Sequence, residues 1–517
     1  MYLYTAQEMR DLDRYTIETV GVPGSVLMEN AGQAVTRLLH ERDPGPAKAV
    51  VLAGTGNNGG DGFVIARLLA SAGWQVRLWQ VGQEEKMSPE TRIFRDACQR
   101  SAPEPHRWEP QRIPDLTADL RRSDWVIDAL LGTGVRGELR EPFRTVIALI
   151  NREAWGRVLA VDIPSGVETD SGAVAGEAAV RADWTVTLAG PKWGHYLLPG
   201  AEFCGELTVA EIGIPASVVR LRSPLARLNG PDGWEKHLAP RSPWSHKGTH
   251  GHLLVVGGSR GMLGAAALSA MAAYRTGVGM VTVGVPQSQE TAMASQVTES
   301  LVWGWPDQGN GGFADAFPAG WEERKHRFSA VAVGPGLGPV PNSDWLRRFL
   351  SLDCPVVLDA DALNALSRDP AILREAAAPV VLTPHPGEMA RLTGSTVSEV
   401  EGNRPGVARD WAREYGVFVV LKGTHTLIAS PGGSCVVEGN ASPSLAKAGS
   451  GDVLTGVTGA WLARGVPPAE AAALSVHLHG LAGRLAVTDV SDSVIATDVI
   501  RAIGPALHRL IPSRSRA

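Results

Sequence analysis

Over the first forty residues, apolar and polar positions recur at helical spacing, and Gly21-Val22-Pro23 divides the stretch into two predicted helices. The pattern then changes to short apolar runs. AVVLAG (49–54) reads as a buried strand, and DGFVIARLLASAG (61–73) as a helix ending at Gly73. QVRLWQVG (75–82), WVIDALLG (125–132), VLAVDIPSG (158–166) and DWTVTLAG (183–190) are further predicted strands. Strands alternating with helical segments predict a parallel sheet with helices on both faces. Between 213 and 245 no period persists, and Pro, Gly and Ser accumulate as in a linker. The alternation then restarts. HLLVVGGS, MVTVGVP, AVAVGPGLG, PVVLDADALN, PVVLTPHPGEM and FVVLKGTHTLIA are apolar runs, each ending in Gly or a polar cluster. An α/β protein of two domains is expected, at 1–220 and 241–517, with a linker at 221–240 and a disordered tail in the closing PSRSRA.

Composition narrows the function classes. The chain has 517 residues, 44% apolar and 20% charged, which suits two or more domains with full cores. Its formal charge of −5 offers no basic footprint for nucleic acid. Cys98, Cys204, Cys354 and Cys435 are scattered and form no C-x-x-C pair, which fits a reducing compartment. The N-terminus MYLYTAQEMRDLDRYT is charged where a signal peptide needs an apolar core, and apolar runs are broken before they reach membrane length. A cytoplasmic protein with no membrane association is expected.

Ligands of open parallel sheets bind beyond the carboxyl ends of the strands, so the strand ends carry the informative residues. GTGNNGGDG (54–62) begins as Gly-x-Gly-x-x-Gly between a strand and a helix. The next strand, however, ends WQVGQ, without the acid that holds a coenzyme ribose, and Gly60 stands where a P-loop needs lysine. What remains is a backbone that a ligand can approach, a helix N-terminus for phosphate, and oxygen donors on Asn57, Asn58 and Asp61 that suit a hard cation. Asn-Gly and Asp-Gly also suit a plain turn. Asp128 in IDALLGTG and Asp162 in VDIPSG add two further acids beside Gly-rich turns; a single such acid is commonly a helix cap.

Together, NNGGDG, DALLGTG, DIPSG and GPKWGH resemble the NAD(P)H-hydrate epimerase domain, a Rossmann-like three-layer sandwich. The resemblance implies a potassium ion held by Asn58, Asp128 and Ser165. It also implies hydrated coenzyme bound by Asn57, Asn58, Gly59, Gly60 and Asp61 and by Gly132, Thr133, Gly134, Val135, Arg136, Gly137 and Glu138. Asp162 would bind at the reacting ring and act as the catalytic carboxylate. Lys192 would either neutralise charge there or be a solvated loop lysine.

In the second half, KAGSGDVLTGVTGAWLARG (447–465) places Gly-Ser-Gly before a helix predicted from about Asp452. The first-turn amides form an anion hole, and Asp452 beside it can accept a proton from an attacking hydroxyl. This element resembles the signature of ribokinase-like folds, except that His385-Pro-Gly-Glu388 stands where those kinases carry Asn-x-x-Glu. SHKGTHGHLLVVGGS, GPGLG, LDADALN, LTPHPGE, LKGTHT and AGSGD together are similar to the ADP-dependent NAD(P)H-hydrate dehydratase domain. The resemblance implies that Lys422, Gly423, Thr424, His425, Thr426 and Gly451 bind the adenine nucleotide. Gly264, Gly336, His385 and Asp452 would contact the hydrate, with Asp452 catalytic. Magnesium would be arranged by Asp361 and Glu388, with Asp359 an alternative structural partner. The expected partners are NADH hydrate, NADPH hydrate and ADP, and the relatives imply a homo-oligomer. A ribokinase-like small-molecule kinase with a fused non-catalytic N-terminal domain is the alternative.

Overall fold

The computed structural model describes residues 1–101, 104–174, 178–222, 224–231, 233–340 and 342–511; the closing PSRSRA lies outside them. Chain contacts divide it into two units, Met1–Ala226 and Arg227–Ala517.

The first unit is built on β1 (Lys48–Ala53), β2 (Gln75–Gln80), β3 (His106–Arg107), β4 (Trp125–Ala129), β5 (Arg157–Val161), β6 (Trp184–Leu188) and β7 (Glu206–Ala210). They form one sheet in the order β3-β2-β1-β4-β5-β6-β7, every pair parallel. Residues of β1 alternate between two apolar layers: Val51 and Ala53 join Phe63, Ile127 and Leu159, while Val50 and Leu52 join Trp79, Val126 and Ile147. Both layers are closed, as a parallel sheet requires. The strand order reverses beside β1 and β4, the place where doubly wound sheets open a ligand crevice.

α1 (Ala6–Tyr15) and α2 (Gly24–Arg42) are the two helices expected at the N-terminus. α3 (Asn57–Ser71) corrects the expectation at the Gly-rich run. Asn57 to Asp61 are not a loop before the helix; they are its opening turns. Close packing explains the glycines. A Cβ on Gly59 would strike the Gly54 carbonyl, and one on Gly60 would strike Met28 and Thr91. The helix therefore begins flush against the end of β1, and the missing side chains are what let it approach.

The second unit has a ten-stranded sheet in the order β11-β10-β9-β12-β13-β14-β15-β16-β17-β8. Its strands are β8 (Ala226–Leu228), β9 (His252–Val256), β10 (Met280–Pro286), β11 (Leu301–Trp305), β12 (Ala330–Val333), β13 (Val356–Leu358), β14 (Val380–Leu382), β15 (Phe418–Leu421), β16 (Leu427–Ala429) and β17 (Cys435–Val437). From β11 to β15 the pairs are parallel. β15, β16 and β17 are antiparallel, so the apolar run FVVLKGTHTLIA is a hairpin whose turn is Lys422–Thr426, not a single strand. The stretch expected as a linker, 221–240, carries β8 and a short helix, Glu235–Leu238, and buries Trp234 and Leu238 in the core of the second unit.

Against this sheet pack the helices Leu263–Thr276 and Ser450–Ala463. Gly456 lies directly on the backbone of Ser269, and Ser269 Oγ donates to the Asp452 carbonyl at 2.8 Å. The Gly-Ser-Gly-Asp motif is thereby tied to the neighbouring helix. Its helix starts at Ser450, two residues before the position read from the sequence, because Gly449 adopts φ +87° and turns the chain into it.

Candidate functional site

In the first unit, a cavity of about 1110 Å³ opens beyond the carboxyl ends of β1, β4 and β5. Asn57, Asn58, Asp61, Gly132, Thr133, Gly134, Val135, Arg136, Glu138 and Asp162 all line it. Gly59 and Gly60 instead pack beneath it, and Gly137 adopts φ +64° with its N–H donating to Glu168 Oε1 at 2.6 Å.

Asp162 follows β5 directly and holds φ +69°, a conformation that Asp tolerates better than most residues and that recurs at functional sites. Its carboxylate accepts from Lys192 Nζ, from Leu188 N–H at 3.0 Å and from Thr187 Oγ at 3.2 Å. Lys192 is 1% exposed, which corrects the solvated-lysine alternative. Its ammonium also donates to Thr187 Oγ1 at 2.9 Å and to the Leu188 carbonyl at 2.8 Å, so all three protons are used. Burial alone would push the Asp162 carboxyl up, but the Lys192 charge and hydrogen bond, with Leu188 N–H, hold it below the usual range.

His195 completes the arrangement. Its Nδ1 accepts from Lys192 N–H at 3.0 Å and its Nε2 lies 3.1 Å from the Asp162 carbonyl, which makes Nε2 the protonated nitrogen. Burial and the Lys192 charge push its pKa down to about 3, so the ring is neutral. Neither His195 nor Thr187 was singled out in the sequence; the signal was the three-residue spacing within Lys192-Trp-Gly-His195.

Beside the cavity, Asp128 in β4 is fully buried. It accepts from Ser165 Oγ at 2.6 Å, Ser165 N–H at 2.8 Å and Leu130 N–H at 3.2 Å. Burial outweighs these bonds and raises its pKa to about 6. Asn58 donates through Nδ2 to the Leu131 carbonyl at 2.9 Å, while its buried Oδ1 has no partner among the described residues. Asn58 Nδ2 and Ser165 Oγ both reach the Leu131 carbonyl and Ser165 bonds Asp128, so an amide, a hydroxyl and a carboxylate are linked through Leu131, with the Asn58 oxygen left over; such oxygen types suit a hard cation.

In the second unit, Asp359, Asp361, Glu388 and Asp452 gather around Lys422. Lys422 Nζ donates to Asp359 Oδ1 at 2.9 Å and lies 3.6 Å from Glu388. Burial opposes its charge, but Asp359 and Glu388 more than compensate and raise its pKa. Asp359 is 1% exposed and also accepts from Thr455 Oγ1 at 2.7 Å. Thr455 reaches it from the second turn of the Ser450–Ala463 helix, one turn beyond Asp452. Burial and then Asp359, against Lys422, raise the Asp452 carboxyl to about 7. Asp361 accepts from Gly338 N–H at 2.9 Å.

His385 caps the helix Pro386–Thr393: its Nδ1 accepts from Gly387 N–H at 3.0 Å and Glu388 N–H at 3.3 Å, while Glu388 accepts from His385 N–H at 2.7 Å. The imidazole therefore satisfies two of the helix's first N–H groups, the work of an N-cap side chain. Gly451 lies against the cluster, since a Cβ there would be 3.5 Å from Lys422 Nζ. Gly423 and Thr424 are exposed in the hairpin turn, His425 Nδ1 meets the Glu438 carbonyl at 2.9 Å, and Thr426 Oγ1 donates to the Gly423 carbonyl at 3.2 Å. Gly264 is exposed with open space beside it, and Gly336 is buried at φ +58°. His479, not foreseen, is buried against Ser450 Oγ at 3.3 Å, and its pKa is pushed down to about 4 by burial and Lys422.

Residues 24–194 match the family described as YjeF-related protein N-terminus, and residues 253–505 match the NAD(P)H-hydrate dehydratase family. The chain is 38% identical over 495 residues to the bifunctional NAD(P)H-hydrate repair enzyme Nnr of Moorella thermoacetica, covering 93% of this chain and 92% of the relative. It is 37% identical over 491 residues to the enzyme of the same name from Thermofilum pendens, covering 95% and 93%. Among solved structures, it is similar to the ADP/ATP-dependent NAD(P)H-hydrate dehydratase from Bacillus subtilis co-crystallised with ATP and Mg2+, at 31% identity and a TM-score of 0.45, covering 54% of this chain and 98% of that one.

Proposed function

We infer that this chain, which belongs to the bifunctional NAD(P)H-hydrate repair enzymes, epimerises the R and S forms of NAD(P)H hydrate in its first unit and dehydrates the S form in its second with ADP, giving NAD(P)H, AMP and phosphate. The hydrate carries a hydroxyl on C6 of the reduced nicotinamide ring, so epimerisation requires that C–O bond to break and re-form on the other face. Loss of the hydroxyl leaves positive charge shared between C6 and the ring nitrogen. The ionised Asp162 on the cavity wall would stabilise that charge, its orientation held by Lys192 and His195.

Asn58, Asp128 and Ser165 would hold potassium, for which the unpartnered Asn58 Oδ1 is the fitting observation. The ion would supply fixed positive charge beside the cavity. Around the wall, Asn57, Gly132, Thr133, Gly134, Val135, Arg136 and Glu138 would hold the rest of the coenzyme.

In the second unit, hydroxide is a poor leaving group and phosphate a good one. The C6 hydroxyl attacks the β-phosphorus of ADP, its proton passes to Asp452, and the bond to the α-phosphate oxygen breaks to release AMP. The ring then expels phosphate from C6 and loses the C5 proton, which restores the double bond. The amides opening the Ser450–Ala463 helix hold phosphate charge. Four carboxylates around one lysine leave excess negative charge, which suits a magnesium ion arriving with the nucleotide phosphates through Asp361 and Glu388. Lys422 to Thr426 and Gly451 would receive the nucleotide, and Gly264, Gly336 and His385 the hydrate.

The observation that carries the dehydratase assignment is Asp452 itself: a half-buried carboxyl in the first turn of the Ser450–Ala463 helix, clustered with Asp359 and Lys422 and raised to about 7. Mixed hydrate epimers supplied with ADP should be consumed completely, with NAD(P)H absorbance recovered and AMP formed in equal amount. Consumption of neither epimer, or recovery without AMP, would defeat this assignment.

A further inference from the structure

We propose that Asp61 is the proton donor of the first unit's site, giving its carboxyl proton to the hydroxyl that leaves C6, with Asp13 as the neighbouring carboxylate that keeps that proton in place. This assignment rests on the epimerase activity proposed above and adds an acid to it.

Asp162 is fully engaged with Lys192, Thr187 and Leu188, so it stays ionised and has no proton to give. Departure of a hydroxyl nonetheless requires a proton. Asp61 supplies the missing chemistry. It lies on the opening turns of α3, faces the cavity, is only 7% exposed, and has no hydrogen-bond partner for its carboxyl among the described residues. A carboxylate buried without donors costs far more than the neutral acid, and the acid form has one O–H to offer into the cavity.

The charges around it act in the same direction. Asp13 from α1, Asp162 from the end of β5 and Lys192 from beyond β6 face the same cavity, with Arg10, Glu90, Arg136, Glu138 and Arg140 elsewhere on its wall. Burial first, then Asp162 and Asp13, hold Asp61 well above the ordinary carboxylate range, and Lys192 opposes them. Asp13 is raised to about 6 by burial and Asp162 against Lys192, so near neutral pH it is largely ionised, and its negative charge favours the neutral form of Asp61. Two environments that separate neighbouring carboxyls into an acid and an anion are a known way to divide acid–base roles.

The step balances without any further reagent. The C6–O electron pair goes to oxygen, which takes the Asp61 proton and leaves as water, while the ring nitrogen's lone pair fills the vacancy at C6. Water adding to the other face releases a proton as its bond to C6 forms, and that proton restores the Asp61 acid.

The test uses the full chain, hydrate epimers and no ADP, with the epimers separated chromatographically over time. Asp61→Asn should lower kcat for epimerisation by roughly 100-fold or more with KM little changed, the usual scale for loss of an acid. Because the acid must be protonated, the wild-type rate should fall as pH rises through the Asp61 pKa. Asp13→Asn removes a negative neighbour and should move that alkaline limb to lower pH, a change that a purely structural role would not produce. An Asp61→Asn chain epimerising at the wild-type rate, or an unmoved limb in Asp13→Asn, overturns the proposal. Should Asp61→Asn fail to fold, the limb in Asp13→Asn decides alone. A wild-type chain that does not exchange the epimers overturns the epimerase activity instead.

Discussion

Replacing Lys192 by Met should invert the pH dependence that Asp162 gives to the stability of the first unit. The ammonium is buried at 1% exposure and meets Asp162, Thr187 Oγ1 at 2.9 Å and the Leu188 carbonyl at 2.8 Å. Without it, Asp162 retains only Leu188 N–H at 3.0 Å and Thr187 at 3.2 Å, and the Leu188 carbonyl loses a donor. Breaking a buried ion pair by removing one partner costs about 3–5 kcal/mol while the other remains charged.

In the wild type, Lys192 holds the folded pKa of Asp162 below its unfolded value of about 3.9, so that contribution is present above the unfolded pKa and is lost as pH falls through the folded one. In Lys192→Met, burial dominates and the folded pKa rises above the unfolded one. Stability from this group is then full below the unfolded pKa and is lost as pH rises through the folded pKa. The deficit of the variant should therefore be smaller near about pH 4.5 than near about pH 7.5. Hydrogen exchange of peptides spanning 184–197, compared with wild type at each pH in graded denaturant, reads this directly. A deficit equal at both pH values, or below about 1 kcal/mol at the higher one, would show that the pair does not carry the charge balance assigned to it.

Asp452→Asn should lower kcat for ADP-dependent dehydration by about 10²–10⁴-fold, measured as NAD(P)H recovery, while epimerisation continues. Since the base must be ionised, wild-type dehydration should rise with pH through about 7, and a flat profile there would count against Asp452 as base. Asn58→Leu should abolish any stimulation of epimerisation by potassium, read by exchanging potassium for choline chloride; retained stimulation would place the ion elsewhere. Gly59→Ala should reverse the gain of about 1 kcal/mol that this change brings in an ordinary helix, because the new Cβ strikes the Gly54 carbonyl. The expected result is a lower melting temperature for the first unit and loss of epimerisation with dehydration kept.

Much of both sites was legible along the chain because chemistry-bearing residues fall at strand ends. Asn58, Asp128, Asp162 and Ser165 were readable as acids, amides and hydroxyls beside Gly-rich turns; Asp128 is the penultimate residue of β4, and the other three lie beyond the ends of its neighbours β1 and β5. The GSGD run announced its helix N-terminus, with a start displaced by two residues. His385 was visible as a departure from the kinase pattern, but its capping geometry was not.

What the one-dimensional pattern determined was the local alternation of strand and helix, and with it the α/β class, since period and turn chemistry act over a few residues. Tertiary structure decided whatever depends on residues distant in the chain. Lys192 became a buried partner of Asp162 because two strand ends meet, thirty residues apart. Lys422 found Asp359 across sixty-three residues, and Thr455 reached the same carboxylate across ninety-six. The run Asn57–Asp61, which reads locally as a flexible turn, became helix because β1 and α2 press on its glycines. Burial and opposing charge, which set whether Asp61 or Asp162 holds a proton, are properties of the assembled fold. No segment of the sequence carries them alone.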